Sequence, residues 1–386
     1  MRPLKAFAVA CGFACLALSC GRVQPQLPPP DQILERMRLA NAWFMKENPD
    51  PRPDIVTDKP RPSNIWTRSV YYEGLMTLYG IDRDPRYLDY ALSWAEAHKW
   101  GLRAGTATRS ADDQCCAQTY IELYRLDPKP ERIAEIRACI DRMIASPRRD
   151  DWWWIDAFQM AMPVFAKLGA VSGNPDYYSH MHEWFARARD GGGGKPGLYD
   201  PKAGLWFRDA DFVPPYREPN GRNCYWSRGN GWVMAALVRA LEEMPEGAPY
   251  RGEYVAILQS MSSAVKAVQR PDGFWNVSLL DPNHFGGKET SGTALFTYAL
   301  AWGIRHGVLP RDEYLPVVVR AWNGLATQAE HEDGFLGYVQ GTGKQPSDSQ
   351  PVGFDSKPNF DDFGVGCFLL AGSAMYALEA PPPAGH

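Results

Sequence analysis

The chain has 386 residues, 45% of them hydrophobic and 12% aromatic, and a net charge of −4 from 41 Lys and Arg against 45 Asp and Glu. That length can bury a sizeable core in one large domain or two small ones. The mild negative balance and the lack of a basic stripe exclude a nucleic-acid binder, while 14 Trp and 18 Tyr suit either an aromatic core or a surface that meets sugar rings.

The N-terminus reads as an address. Arg2 and Lys5 precede a short apolar run, Ala6 to Leu18, and then Leu16-Ala17-Leu18-Ser19-Cys20-Gly21. Small residues before a cysteine at the end of such a run match a bacterial lipoprotein signal over residues 1–20, with Cys20 as the lipidated residue. Ordinary secretion stays open, and the run is too short for a membrane span. The expected location is the bacterial cell envelope, periplasmic or outer-membrane associated, with a Pro-rich tether over 21–30. Past Cys20 come Cys115, Cys116, Cys139, Cys224 and Cys367. An odd number without a CxxC pair indicates buried free thiols.

From Asp31 onward, one theme repeats. Asp31 to Glu47 is amphipathic with helical spacing, and Trp66 to Tyr79 is apolar. Amphipathic segments follow at Pro85 to Lys99, Glu131 to Ala145, Asp176 to Ala188, Gly252 to Val268 and Asp312 to Leu325. Apolar ones alternate with them at Asp112 to Tyr124, Asp156 to Leu168, Gly229 to Leu241, Thr290 to Ile304 and Phe363 to Leu378. A helix apolar all round is buried, and one with a polar face lies outside. Six of each predict an all-α (α/α)6 toroid, one domain over 31–386.

The links alternate too. Inner-to-outer links are short and contain Pro, as in Asp127-Pro128-Lys129-Pro130. Outer-to-inner links are mostly long and rich in Gly, Asp and aromatics, as in Arg189 to Arg228. Because chain direction alternates, the long links share one end, over the N-termini of the inner helices. Long loops concentrate function, and helix N-termini favour anions. That end is the expected mouth of a site.

Candidate groups recur there: Asp112 and Asp113, Asp156, Arg228, Thr290 and Ser291, and Asp361. Each Asp, Ser or Thr can be a helix cap. Asp156 carries a second reading, because Trp152-Trp153-Trp154 precedes it. Three successive indoles point about 100° apart on a helix, so they cannot all face one core. A carboxylate walled by indoles is a candidate for a raised pKa and for proton transfer. Arg228 opens a helix against the helix dipole, which suggests that an anion meets it. There is no HExxH and no phosphate loop. His180 and His182 sit on an amphipathic segment and read as solvated, and Gly191 to Gly194 reads as a flexible bridge. Neither metal nor cofactor is expected.

The stretches DDWWWIDAFQMAMPVFAKLG, YWSRGNGWVMAALVRALEEMP and SLLDPNHFGGKETSGTALFTYALAWGIRHGVL resemble family 105 glycoside hydrolases. Those are unsaturated rhamnogalacturonyl hydrolases, related to the family 88 unsaturated glucuronyl hydrolases. The resemblance runs from about Trp66 to Leu378 and implies the same toroid. It implies a substrate left by a polysaccharide lyase, with a 4,5-unsaturated uronic acid at its non-reducing end. An Asp protonates C4, water adds at C5, and the product opens to release the neighbouring sugar. By motif match Asp156 is the acid/base and Asp112 the second catalytic Asp, favoured over Asp113. Trp154 and Trp226 would wall the sugar, Arg228 bind its carboxylate or a hydroxyl, and Trp232 line the pocket. Some members carry a His where this chain offers Arg208, so galacturonyl and glucuronyl substrates, including ulvan fragments, both stay open. The competing reading is a non-catalytic glycan-binding lipoprotein, which explains Asp112 and Asp156 poorly.

Overall fold

The computed structural model describes residues 26–379. The signal segment, Cys20 and most of the tether lie outside the described residues. Helices α1 (Pro30–Glu47), α3 (Pro85–Ala97), α6 (Glu131–Ala145), α8 (Asp176–Asp190), α10 (Arg251–Ala267) and α12 (Arg311–Gly324) form the outer layer. The inner layer is α2 (Trp66–Ile81), α4 (Ala111–Gln114) with α5 (Ala117–Leu126), α7 (Asp156–Ser172), α9 (Ser227–Glu243), α11 (Thr290–Arg305) and α13 (Asp362–Ala377). Contacts run α2 to α5, α5 to α7, α7 to α9, α9 to α11, α11 to α13 and α13 back to α2, which closes the ring. The expected all-α toroid is what forms. Three ladders of two-residue strands (β1 Ile55–Val56 with β2 Pro60–Arg61, β3 Gly191–Gly192 with β4 Lys195–Pro196, β5 Tyr199–Asp200 with β6 Leu205–Trp206) only pin loops. Among the described residues no helix is long and apolar enough to cross a membrane.

The apolar segments fold inward because burying them removes most of the chain's apolar surface from water, at roughly 1.5–3 kcal/mol per large side chain. Every residue of α9 from Ser227 to Leu241 is buried, whereas α8 buries only one stripe. Ring closure depends on glycine. A Cβ on Gly74 of α2 would lie 2.5 Å from the Gly366 carbonyl oxygen of α13, and one on Gly366 would lie 2.2 Å from that of Val70. The first and last inner helices therefore touch backbone to backbone. Helix α7 ends where Gly173 turns left-handed at φ 67°, a conformation that costs glycine least.

Two expectations change. The inner segment predicted as one helix from Asp112 to Tyr124 breaks at Cys115-Cys116 into α4 and α5. There the Cys115 thiol contacts the buried Glu73 carboxylate at 3.4 Å. The last outer helix runs on past Gly324 as a turn of π-helix over Leu325–Ala329. The five described cysteines are buried and free, as their number and spacing indicate.

The candidate active site

Asp156 stands in the first turn of α7 and caps nothing, so the helix-cap reading does not hold for it; Ile155 holds the N-cap position. Its side chain is 13% exposed. Arg208 donates to it from Nε at 3.2 Å. Burial pushes the Asp156 carboxyl above its ordinary pKa, and Arg208 and Arg228 pull it back in part.

Arg208 is held from three directions. Its Nη1 donates to Asp209 at 2.7 Å. Its carbonyl accepts from the Ile155 N–H at 3.0 Å, and Trp154 bridges to Asp209. Asn230, inside the SRGNGW run, accepts from the Trp206 N–H at 2.8 Å and donates to the Trp206 carbonyl at 3.1 Å. One amide on α9 thus fixes the strand that leads to Arg208. Sequence reasoning picked Arg208 by position but missed Asn230 and Asp209. The signal was an amide in the first turn of an inner helix that is buried all round, where it must find partners.

The two aspartates at the second inner helix separate clearly. Asp113 is buried; Arg103 donates to it at 2.5 Å and the Thr108 hydroxyl at 2.6 Å. Its carboxylate ties down the loop before α4 and is not offered to a ligand, in keeping with the choice of Asp112 over Asp113. Asp112 is partly exposed, and its pKa is pushed up to about 6. Burial is the main cause and the negative charge of Asp156 the next, with Arg103 opposing them. Asp112 and Asp156 therefore share one electrostatic environment, and ionising one disfavours ionising the other.

The three tryptophans divide their work. Trp152 is core, packed edge-on to Phe165 and Phe158. Trp154 is buried against Trp153, with ring centroids 4.6 Å apart. Trp153 is 53% exposed, and the Arg208 guanidinium lies 5.9 Å from its ring. The two acidic residues before them are structural or solvated: Asp151 takes a bidentate pair from Arg109 and the Trp184 indole N–H.

Arg228 is 1% exposed. It donates to the carbonyls of Gln340 at 2.6 Å and Gly341 at 2.8 Å, and its guanidinium lies 4.5 Å from the Trp226 ring and 5.1 Å from Phe363. Trp226 is buried too and donates to the Gln340 side chain at 2.9 Å. These residues fasten the 330–361 loop to the mouth, and the accessible cation beside Asp156 is Arg208. The Arg228 Nε has no partner among the described residues. Trp232 is fully buried and meets the partly exposed Trp66 edge-on at 6.3 Å, so it is core packed behind Trp66. Glu289, not Thr290 or Ser291, caps α11, and Asp361 makes no side-chain cap.

A partly exposed acid with raised pKa, a neighbouring raised Asp, a fixed Arg and indole walls at the loop-rich end of an (α/α)6 ring define a carbohydrate-processing enzyme of the toroid class. The profile of "Glycosyl Hydrolase Family 88" matches residues 36–379, and the chain belongs to that family; it is a glycoside hydrolase. The resemblance to the related family 105 pointed to the same group. An "Unsaturated 3S-rhamnoglycuronyl hydrolase" of Formosa agariphila is 33% identical over 335 residues, 81% of this chain and 85% of that protein. A "Glycosyl hydrolase family 88" structure from Bacteroides vulgatus superposes with a TM-score of 0.82 at 33% identity, covering 91% of this chain and all of the other. A structure described as a polysaccharide lyase is also similar, with a TM-score of 0.80 at 35% identity over 90% of this chain and 97% of the other.

Proposed function

We propose that this enzyme removes a 4,5-unsaturated uronic acid from the non-reducing end of lyase-generated oligosaccharides, with Asp156 as proton donor and Arg208 as the partner of the uronate carboxylate. The observation that carries this is the Arg208–Asp156 pair at the mouth. A vinyl ether must be protonated on carbon, which needs a carboxylic acid that keeps its proton near neutrality. Burial supplies that tendency in Asp156, and Arg208 restrains it until substrate arrives. A uronate carboxylate that engages Arg208 removes the restraint, so Asp156 takes up a proton when substrate binds.

The steps then balance. Asp156 gives its proton to C4, and positive charge develops at C5 and the ring oxygen. Water adds to C5, and its proton returns to the Asp156 carboxylate. The resulting hemiketal opens, leaving a hemiacetal at C1 that expels the neighbouring sugar. Asp112 makes it harder for both carboxyls of the pair to be ionised together, which favours a stored proton. The test is loss of the vinyl-ether ultraviolet band on lyase products. Wild type should bleach it with release of sugar, and Asp156→Asn should not; full activity in Asp156→Asn sinks the assignment. The similarity to a polysaccharide lyase supports a second reading, elimination, which the same assay separates because a lyase creates that absorbance from saturated polymer.

The lipid anchor at Cys20 belongs to the same proposal. Helix α1 ends near the mouth, where Arg68 of α2 donates to Asn48 at 3.0 Å. It begins at Pro30, 18 residues back, or about 27 Å away at 1.5 Å per residue. Pro30, where the tether joins the toroid, therefore lies at the end opposite the mouth. Cys20→Ala should move the protein from the membrane fraction to the soluble one; unchanged membrane association contradicts the anchor.

A further inference from the structure

One buried carboxyl group that the chemistry above does not use stands between the two helices that carry Asp112 and Asp156. Glu73 lies in the middle of α2, and its side chain is fully buried. A carboxyl taken out of water is costly unless donors and a countercharge meet it. Here three elements supply them. The Cys115 thiol, at the break between α4 and α5, donates to Oε1 at 3.4 Å. The Gln159 amide of α7 donates to Oε2 at 2.7 Å. Arg239 of α9 lies 3.7 Å from Oε2. It also donates to the Gln118 side chain at 3.0 Å, and Gln118 donates in turn to the Gln159 carbonyl at 2.7 Å.

The two donors are not arbitrary neighbours. Cys115 follows Asp112 by three residues, and Gln159 follows Asp156 by three. Residues three apart share one face of a helix, about 4.5 Å apart along its axis at 1.5 Å per residue. Glu73 therefore grips the two aspartate-bearing helices one turn below the aspartates, with one oxygen for each. Helix α4 needs such a grip most. It is four residues long, far too short to hold its own direction in water, and it packs on both α2 and α7. Glu73 itself cannot drift. The adjacent Gly74 fixes α2 against the α13 backbone, where a Cβ would lie 2.5 Å from the Gly366 carbonyl oxygen.

A side chain at this place must accept from both sides at once. A carboxyl has an acceptor oxygen for each helix; an amide has one, and an apolar side chain none. We infer that Glu73 is a positioning residue for the catalytic pair, setting through Cys115 and Gln159 the separation and direction of Asp112 and Asp156. Arg239 supplies the countercharge from α9, across the ring from α2. The inference rests on the reading of Asp112 and Asp156 as the reacting groups.

The test compares Glu73→Gln, Cys115→Ala and Gln159→Met with wild type on an unsaturated disaccharide, together with the two double variants that contain Glu73→Gln. Each single variant should lower kcat about tenfold with KM unchanged, because a shift of about 1 Å at the reacting groups is costly while Arg208 still holds the uronate. Each double variant should be less impaired than the product of its parents, since both changes cut the same connection. A lower melting temperature with unchanged kcat per folded molecule, or effects that simply multiply, overturns the inference. Carbon-13 NMR titration of the aspartate carboxyls gives a measure free of turnover. Cys115→Ala removes no charge, yet it should lower the Asp112 pKa from about 6, because a loosened α4 exposes that carboxyl and moves it away from Asp156. An unmoved titration overturns the inference. If Glu73→Gln does not fold, Cys115→Ala and Gln159→Met decide. If wild type turns over no unsaturated oligosaccharide, the hydrolase reading fails, and the titration alone decides whether Glu73 sets the pair.

Discussion

Both ends of the toroid are rich in buried charge, yet they partner it differently. At the end away from the mouth, a cavity of about 260 Å³ is lined by Glu73, Glu122, Lys167, Arg239 and Glu243 among others. These cations are paired, although burial still pushes the Glu73 carboxyl up. Lys167 pairs with Glu122 and, at 3.2 Å, with Glu243. Arg125 also donates to Glu243, at 2.9 Å, and Arg239 binds the Gln118 side chain at 3.0 Å and lies 3.7 Å from Glu73. At the mouth, Asp112 has no such partner and Asp156 has Arg208 alone as a paired cation. Burial disfavours the Glu243 carboxylate, but Lys167 and Arg125 overcome it and hold its pKa down to about 2. Burial wins at Asp112, which rises to about 6. A cavity lined with charge is therefore no guide to chemistry. Nor is burial alone a guide, since it also raises Glu73 in the far cavity and Glu330, pushed up to about 8; at the mouth the raised carboxyls stand together with a fixed cation and an exposed indole.

The comparison can be broken first at the mouth. Asp156→Asn should lower kcat/KM by about 10³-fold or more, the usual scale for removing a proton donor, with little loss of stability, measured by steady-state bleaching and thermal melting. Activity within tenfold of wild type would remove the distinction between the ends. Next, Lys167→Ala leaves Glu122 and Glu243 in a low-dielectric setting with fewer cations, and should cost about 3–5 kcal/mol by denaturant titration. Turnover at low temperature should survive.

Arg208→Ala should lower kcat/KM by roughly a hundredfold and change the shape of the pH profile. Arg208 depresses the Asp156 pKa, so its removal raises that pKa, and the alkaline limb of kcat/KM should move to higher pH. An unmoved limb would show that Arg208 does not act on the acid.

The smallest effect concerns stability and has opposite signs at the two ends. Glu243 has a depressed folded pKa, so its contribution is present above about pH 4.5 and disappears as pH falls toward 2. Asp112 has a raised one, so the folded state holds a proton that the unfolded state has lost between about pH 4 and 6. Stability from Asp112 is present below that window and lost above it. Asp112→Asn should therefore stabilise the fold at pH 7, by on the order of 1–3 kcal/mol, while it impairs turnover. A destabilised Asp112→Asn protein would contradict this account of the mouth.

Much of this was legible in the sequence because inner helices must be apolar all round while outer ones need only a stripe. Glu131–Ala145 was bounded to the residue, and the long-loop rule put Asp156, Asp112 and Arg208 at one end. Residue identity alone misassigned what depends on the direction of a side chain. Arg228 carries the right charge near the right place, but its guanidinium folds back onto the Gln340 and Gly341 carbonyls. Asp113 differs from Asp112 by one step along a short helix, enough to turn its carboxylate onto Arg103 and Thr108. Trp153 and Trp154 differ likewise, one exposed and one buried. Spacing encodes which end of a helix a residue occupies; the partner that claims its side chain comes from loops distant in sequence.

The most direct measurement is turnover of an unsaturated disaccharide in deuterium oxide, followed by NMR of the released uronate. Proton donation from Asp156 to the vinyl ether predicts one new deuteron on C4, formed by wild type and not by Asp156→Asn. Release of the sugar with no deuterium at C4 would mean that the bond to the neighbouring sugar is cleaved without hydration of C4=C5, and would contradict the account.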